Sequence, residues 1–441
     1  MILRFIVENF ASFKGQVEFN TFPSSKSRNH DNHKIDCGHA TALRLGAIYG
    51  ANGAGKSNLI YALSFLQGSV LAGSVGGYDQ NGVPFQYDPD SPDKPTGFAL
   101  EFFYNANTYY YHVEFQKHSV IVEELLLCLK HRDIELFSRN ASAIKINGKY
   151  SSKKMNDSYI DAISRLVRPD MLLFSFLGNY YPNEVPIITD AFRWFANSLH
   201  LVQPGSKVLY VPHLLETNKS FADLVNSTVP ELGTGISRLE VRKELLVESE
   251  IQNNARLFKA YSDAKNMPGV PVVLSDATGK ENLNIISDNT HNVYLKKIVA
   301  IHSMNGVEYE MPMRYESDGT CRLIEYMLLF YGISLNSEVY VVDEIERSIH
   351  SILIKSIIRK ISESNEMNGQ LIFTTHESCL LDQDILRPDE IWFAQKDAEQ
   401  ATQLYPLSDF NIHHTANIEN GYLNGRYGGI PFLSNLKDLH W

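Results

Sequence analysis

Between positions 50 and 58 the chain reads Gly-Ala-Asn-Gly-Ala-Gly-Lys-Ser-Asn, and this short stretch restricts the fold more than any other. Its glycines, lysine and serine have the spacing G-x-x-x-x-G-K-[ST] in full. Ahead of it, residues 43–50 form a compact apolar run that reads as a strand; after it, residues 56–71 carry apolar spacing suited to a helix. Strand, glycine loop and helix in that order are the setting in which backbone N–H groups close around phosphates, with the positive end of the helix behind them. Gly50, Ala51, Asn52, Gly53, Ala54, Gly55, Lys56, Ser57 and Asn58 are therefore the candidate nucleotide-binding residues. Lys56 is expected to reach the outer phosphates and the Ser57 hydroxyl to hold Mg²⁺.

Two further strands end in reactive groups. Val339-Tyr-Val-Val-Asp343-Glu344 is an apolar run closed by two acids, the pattern of a central parallel strand whose carboxyl end faces a ligand crevice. Such a strand says little by itself, but beside a phosphate loop it makes Asp343 a candidate Mg²⁺ ligand and Glu344 a candidate general base. Leu371-Ile-Phe-Thr-Thr-His376-Glu377 repeats the pattern, and His376 is placed to hydrogen-bond a γ-phosphate or the attacking water. A polar turn, Glu316-Ser-Asp-Gly-Thr-Cys-Arg-Leu323, runs into an apolar helix and forms a second helix start suited to an anion.

These motifs predict an α/β chain, a mixed sheet with flanking helices and a helical insertion. Residues 1–122 are expected to form a lobe with the glycine loop. Residues 123–285 form a mostly helical insertion or lid, with helical patterns at 157–168, 185–201, 219–228 and 238–264, and residues 286–441 form a second lobe with the other motifs. Residues 1–20 and 96–116 alternate like hairpins and 389–396 like an edge strand. Sustained heptads are absent, which excludes a long coiled coil.

The chain has 441 residues, 40 of them Lys or Arg and 51 Asp or Glu, for a net charge of −11. That balance argues against a general, salt-driven nucleic-acid binder, so DNA is not expected as a tight ligand. Short basic clusters at 241–243 and 295–297 read as solvated faces. No apolar run is long enough to span a membrane, and the start reads as a strand, not a signal peptide. Four scattered cysteines without a CxxC pair fit reduced thiols in a cytoplasmic protein.

Taken in order, "GANGAGKSN", "ESDGTCRL", "VVDEIERSIH" and "IFTTHES" resemble the Walker A, signature, Walker B with D-loop, and switch-histidine elements of ABC-type ATPases. Without a coiled coil, the chain resembles the AAA15 (RloA/AbiLi-like) ATPases, relatives of the OLD and SMC families. "FIVENFASFKGQVEF" near the start and "IENGYLNGRYGGIPFL" at 418–433 resemble that family's ends, while 123–285 matches it loosely. Glu316 and Asp318 stand where the transporter signature LSGGQ has Leu and Gly; Ser317 and Gly319 remain. Gln86, in "VPFQYD", is the candidate for the Q-loop glutamine that the resemblance implies.

The resemblance implies an ABC-type P-loop head that takes ATP and Mg²⁺. It also implies a homodimer in which Ser317 and Gly319 of one copy complete the site around the other copy's Lys56. It further implies a part in bacterial defence against phage, alongside a separately encoded effector, often a nuclease. No acidic cluster resembling a TOPRIM nuclease follows residue 400, so nuclease activity would belong to the partner. Two alternatives stay open: an SMC-like repair ATPase acting directly on DNA, and an assembly module that binds ATP with little turnover.

Overall fold

Leu45–Gly50, Val339–Val342 and Gln370–Thr374 are buried along their whole length, as strands covered on both faces must be. In the computed structural model they are neighbours in one sheet. Its order is Leu199–Val202, Val339–Val342, Gln370–Thr374, Leu45–Gly50, Ile391–Lys396, Thr402–Pro406. Every pairing in it is parallel except the last. Parallel order brings the carboxyl ends of the central strands to one rim, and there the glycine loop, Asp343, Glu344 and His376 stand.

The residues described are 1–27, 29–75, 84–152, 155–204, 211–275, 282–413 and 416–430; residues 431–433 of the C-terminal stretch lie outside them. They divide into two compact units: Met1–Pro204 with Ile333–Glu346 and Ile354–Trp441, and Gly205–Gly332 with Arg347–Leu353.

In the first unit a second, antiparallel sheet runs from Ala143–Ile146 through the hairpin Thr96–Tyr104 and Asn107–Gln116 to Ile2–Glu8 and Val17–Asn20. Both hairpins expected at the N-terminal end are present. Helix Lys56–Ala72 packs on Ile2–Glu8 of this sheet and on Leu45–Gly50 of the other. Leu59, Ile60, Leu63, Phe65, Leu66 and Val70 are all buried, because a helix covered on opposite sides must be apolar nearly all round. Phe65 meets Phe98 and Phe115 at ring-centroid distances of 5.7 Å, inside one core cluster with Ile48 and Val341.

The second unit is built on an antiparallel sheet of Ile236–Leu245, Val293–Met304, Asn282–Ser287 and Val272–Ser275, with Val307–Pro312 also paired to Val293–Met304. Helix Lys219–Thr228 buries Phe221 and Val225 against Ile298 and Ala300. Helix Ala255–Asn266 buries Ala260 and Ala264 against Ile285 and Leu295.

Three sequence expectations meet a different structure. Residues 238–264 were expected as one helix, but Ile236–Leu245 is a strand and the helix is Ala255–Asn266. Leu239 and Val241 suit either period, and pairing with the strongly apolar Val293–Met304 decides the outcome. Ile391–Lys396 is interior, since Thr402–Pro406 covers its outer side. The stretch 123–285 is divided between the units at residue 204, and its first part includes the strands Arg132–Asn140 and Ala143–Ile146. Glu123 ties the helical portion of that first part to the antiparallel sheet of the first unit. Fully buried in strand Ser119–Leu129, its carboxylate accepts the Leu173 and Phe174 N–H groups at 2.7 and 2.9 Å. It thereby caps helix Leu173–Tyr180, whose Leu172 N-cap offers no side-chain acceptor.

Candidate functional site

Strand Leu45–Gly50 ends where the glycine loop begins. A Cβ on Gly50 would lie 2.6 Å from the Ala394 carbonyl oxygen of the neighbouring strand, so only glycine lets the two backbones approach. Gly55 has φ +103°, and a Cβ there would fall 2.0 Å from Thr402 Oγ1. That hydroxyl donates to the Ala54 carbonyl at 2.9 Å and pairs with Ser12 Oγ at 2.8 Å. The loop is thus braced from below by two hydroxyls distant in sequence. Ser57 and Asn52 are exposed, while Ala54, Gly55 and Lys56 are buried.

The bracing gives a paired prediction. Gly55→Ala is expected to lower stability by roughly 1–3 kcal/mol, from overpacking on Thr402 and the left-handed backbone. Gly53, at φ +77° with nothing within 4 Å of its ideal Cβ, is expected to lose only about 1 kcal/mol on the same change. Melting curves of the two variants check it; equal losses would mean that Thr402 yields freely.

Lys56 is 5% exposed and its Nζ donates to the Gly50 and Ala51 carbonyls at 2.7 and 3.2 Å. Burial lowers its affinity for the proton, and the negative charges of Asp343, Glu346 and Glu344 raise it again. His376 is held below the ordinary imidazole value, first by desolvation and then by the charge of Lys56, with the same three acids opposing. Lys56, the acids and His376 therefore share one electrostatic field. The structure brings together the residues singled out at three separate places in the sequence.

Asp343 is buried, and Thr374 Oγ1 donates to its Oδ1. Glu344 is partly buried and has φ 53°, a left-handed backbone that costs a non-glycine residue roughly 1–3 kcal/mol. Its N–H donates to Thr374 Oγ1 at 2.8 Å. Glu346 accepts the His376 N–H at 2.8 Å, and its Oε2 is buried without a hydrogen-bond partner. Thr374, Glu346, Thr402 and Ser12 were not foreseen from the sequence. Thr374 left a faint signal as a hydroxyl closing an otherwise apolar strand, and Glu346 as the third acid of Asp-Glu-Ile-Glu.

Ser317 and Gly319 belong to the second unit. Ser317 is exposed at the start of helix Asp318–Leu335, and its Oγ accepts the Thr320 N–H at 3.0 Å. A Cβ on Gly319 would lie 2.4 Å from the Ser348 carbonyl oxygen, so the residue is confined to glycine. Gln86 is exposed, next to a buried Phe85 whose N–H donates to Asn9 Oδ1 at 3.2 Å.

The family model described as "AAA domain, putative AbiEii toxin, Type IV TA system" matches residues 46–382, a span that takes in the glycine loop, both acids and His376. The chain belongs to this AAA-domain family. No curated protein matches it. Among solved structures it is similar to the SMC head domain from Thermotoga maritima, at 13% identity and a TM-score of 0.38 over 92% of this chain and 98% of that one. It is also similar to an SmcHead bound to the C-winged helix domain of ScpA, at 13% identity and a TM-score of 0.40 over 92% and 97%. A third is an Smc head with an extended coiled coil bound to the C-terminal domain of ScpA derived from Pyrococcus furiosus, at 13% and 0.39 over 92% and 96%. As an AAA-domain protein the chain has a mixed α/β fold with helices flanking its sheets. No helix among the described residues is long and apolar enough to cross a membrane.

Among the described residues no group of three or more His, Cys, Asp or Glu is arranged to hold a metal ion alone. The donors present at the loop, a serine hydroxyl and the buried Asp343 carboxylate, are hard oxygens. They suit Mg²⁺, which keeps waters and takes its other ligands from substrate phosphates.

Proposed function

We propose that this chain binds and hydrolyses ATP, and that it does so as the sensor or scaffold subunit of an anti-phage defence system that controls a separately encoded effector. The observation that carries the first part is the placement of Lys56, Asp343, Glu344, Glu346 and His376 just beyond the carboxyl ends of adjacent parallel strands. On this reading Lys56 leaves the Gly50 and Ala51 carbonyls for the outer phosphates, and the N–H groups of residues 50–58 close around them. Ser57 and Asp343 would hold Mg²⁺, which when bound neutralises charge building on the phosphate oxygens. Glu344 takes a proton from the attacking water, and His376, whose affinity for the proton is lowered first by desolvation, orients that water or the γ-phosphate. Phosphate release from ATP, with and without Mg²⁺, tests it; release no faster than from Lys56→Ala would sink it.

The description of the AAA-domain family, a putative toxin of a toxin–antitoxin system, supports a chain that works with a separately encoded partner. The second unit favours this over direct action on DNA. Arg242 is engaged by Glu240 and Glu310, Lys296 by Glu216, Lys297 by Glu244, and Lys243 lies 3.9 Å over the Tyr294 ring. Both basic clusters are already answered by the chain's own groups, which leaves little to release counterions from a duplex.

The site is completed by a second copy, whose Ser317 and Gly319 meet the γ-phosphate. Ser317 is exposed and the first turn of its helix offers N–H donors. Ser317→Arg is then expected to bind ATP but to lose most hydrolysis. Mixed with Lys56→Ala under conditions of proven subunit exchange, it regains activity, because a mixed dimer has one site with both parts intact. Activity that stays at the level of the single variants would remove the shared site.

A further inference from the structure

Thr374 is fully buried at the end of strand Gln370–Thr374, paired on one side with the glycine-loop strand through Ile48. On the other side it grips three consecutive residues beyond Val339–Val342. Its hydroxyl donates to Asp343 Oδ1, the same oxygen accepts the Glu344 N–H at 2.8 Å, and its carbonyl accepts the Ile345 N–H at 3.1 Å. The next residue continues the staple, with the Thr375 N–H donating to the Ile48 carbonyl at 3.1 Å.

The proton of that hydroxyl has one possible direction. Glu344 presents an N–H, so the oxygen must accept there, and its single hydrogen is left for the carboxylate. Only an aliphatic hydroxyl performs both tasks in this space. The two contacts fix one oxygen of Asp343 and hold Glu344 in its left-handed conformation, so that consecutive acids leave the strand in set directions.

We propose that Thr374 is a positioning residue for both acids. It aims Asp343 at the metal of the nucleotide and Glu344 at the water, without itself touching either. This inference rests on the ATPase reading above. A purely structural threonine would fill space and satisfy one buried N–H, and then any side chain of the same shape that left the protein folded would leave the chemistry unchanged.

Thr374→Val keeps the shape and deletes both bonds; Thr374→Ser keeps the bonds and deletes a methyl. Three quantities separate the roles: affinity for a fluorescent ATP analogue in EDTA, the Mg²⁺ concentration that half-saturates the metal-dependent gain in that affinity, and kcat against KM for ATP. For Thr374→Val the affinity in EDTA is expected to stay within about threefold of the wild type. The Mg²⁺ requirement should rise, and kcat fall, by about 10- to 100-fold, the usual effect of removing a group that orients a metal ligand. Thr374→Ser is expected to restore both to within about threefold. If the valine variant does not fold, Thr374→Cys, whose thiol is a poor donor and acceptor, replaces it with the same expected pattern.

Wild-type Mg²⁺ requirement and kcat in the valine variant would overturn the proposal, as would a serine variant as impaired as the valine one. Should the wild type itself show no Mg²⁺-dependent nucleotide binding, the ATPase reading fails and the positioning role falls with it. A wild type that hydrolyses ATP, beside an unaffected Thr374→Val, removes the positioning role alone.

Discussion

Lys56→Ala is expected to fold and to bind ATP about 10- to 100-fold more weakly, since a charge-assisted hydrogen bond to phosphate is worth on the order of 1.5–3 kcal/mol. The fold should survive because the ammonium is not part of the apolar core. Among the described residues its Nζ donates to the Gly50 and Ala51 carbonyls, at a loop whose bracing comes from Thr402 and Ser12. Burial already penalises the charge, so its removal relieves one cost while it leaves two carbonyls without their donor. A melting temperature within a few degrees of the wild type is the expected balance, since a change of about 1 kcal/mol moves a chain of this size by only a few degrees. A second consequence separates a local charge effect from unfolding. Desolvation first, and then the Lys56 charge, hold His376 below its ordinary value; without that cation part of the lowering is lost and His376 should keep its proton to higher pH, which imidazole NMR would detect. Unchanged nucleotide affinity in a folded variant would end the phosphate-loop reading.

The parts of the site that lie within one sequence window were legible there, and the parts that depend on pairing were not. The glycine loop declares itself because spacing, flanking strand and following helix are all local. Asp343, Glu344 and His376 could be singled out because a parallel strand buried on both faces reads as an apolar run, and its carboxyl end is where polar groups return. Thr402 reaches the loop only because Thr402–Pro406 pairs beside Ile391–Lys396, and a five-residue strand ending in proline gives almost no periodic signal. Thr374 required knowledge of which two strands are neighbours. Ile236–Leu245 was misjudged for the same reason: its residues tolerate a helix, and the partner strand overrides them. The division at residue 204 was hidden because Glu123, which ties helix Leu173–Tyr180 to the antiparallel sheet of the first unit, looks from the sequence like any charged residue on a strand.

Glu344→Gln is expected to leave Mg²⁺-dependent ATP binding intact and to slow hydrolysis by a factor on the order of 10² or more, the range of a lost general base. The substitution keeps the size of the side chain and replaces only the group that can take the proton. The backbone should not respond: glutamine pays the same cost at φ 53°, and the N–H that Thr374 Oγ1 accepts is unchanged. With ATP held and not consumed, the variant should also accumulate the nucleotide-closed dimer, visible as an ATP-dependent shift to twice the mass. The competing candidate is Glu346, whose Oε2 is buried without a hydrogen-bond partner and whose charge also acts on Lys56 and His376. Its other oxygen accepts the His376 N–H, which fits a group that places the histidine. Glu346→Gln keeps an acceptor oxygen for that bond and is expected to lose several-fold less activity than Glu344→Gln. Single-turnover hydrolysis by the two variants at saturating ATP and Mg²⁺ decides between them. If the Glu346 variant is the slower and the Glu344 variant stays within a few-fold of the wild type, the base is Glu346, and the left-handed turn after Asp343 serves to carry the chain to it.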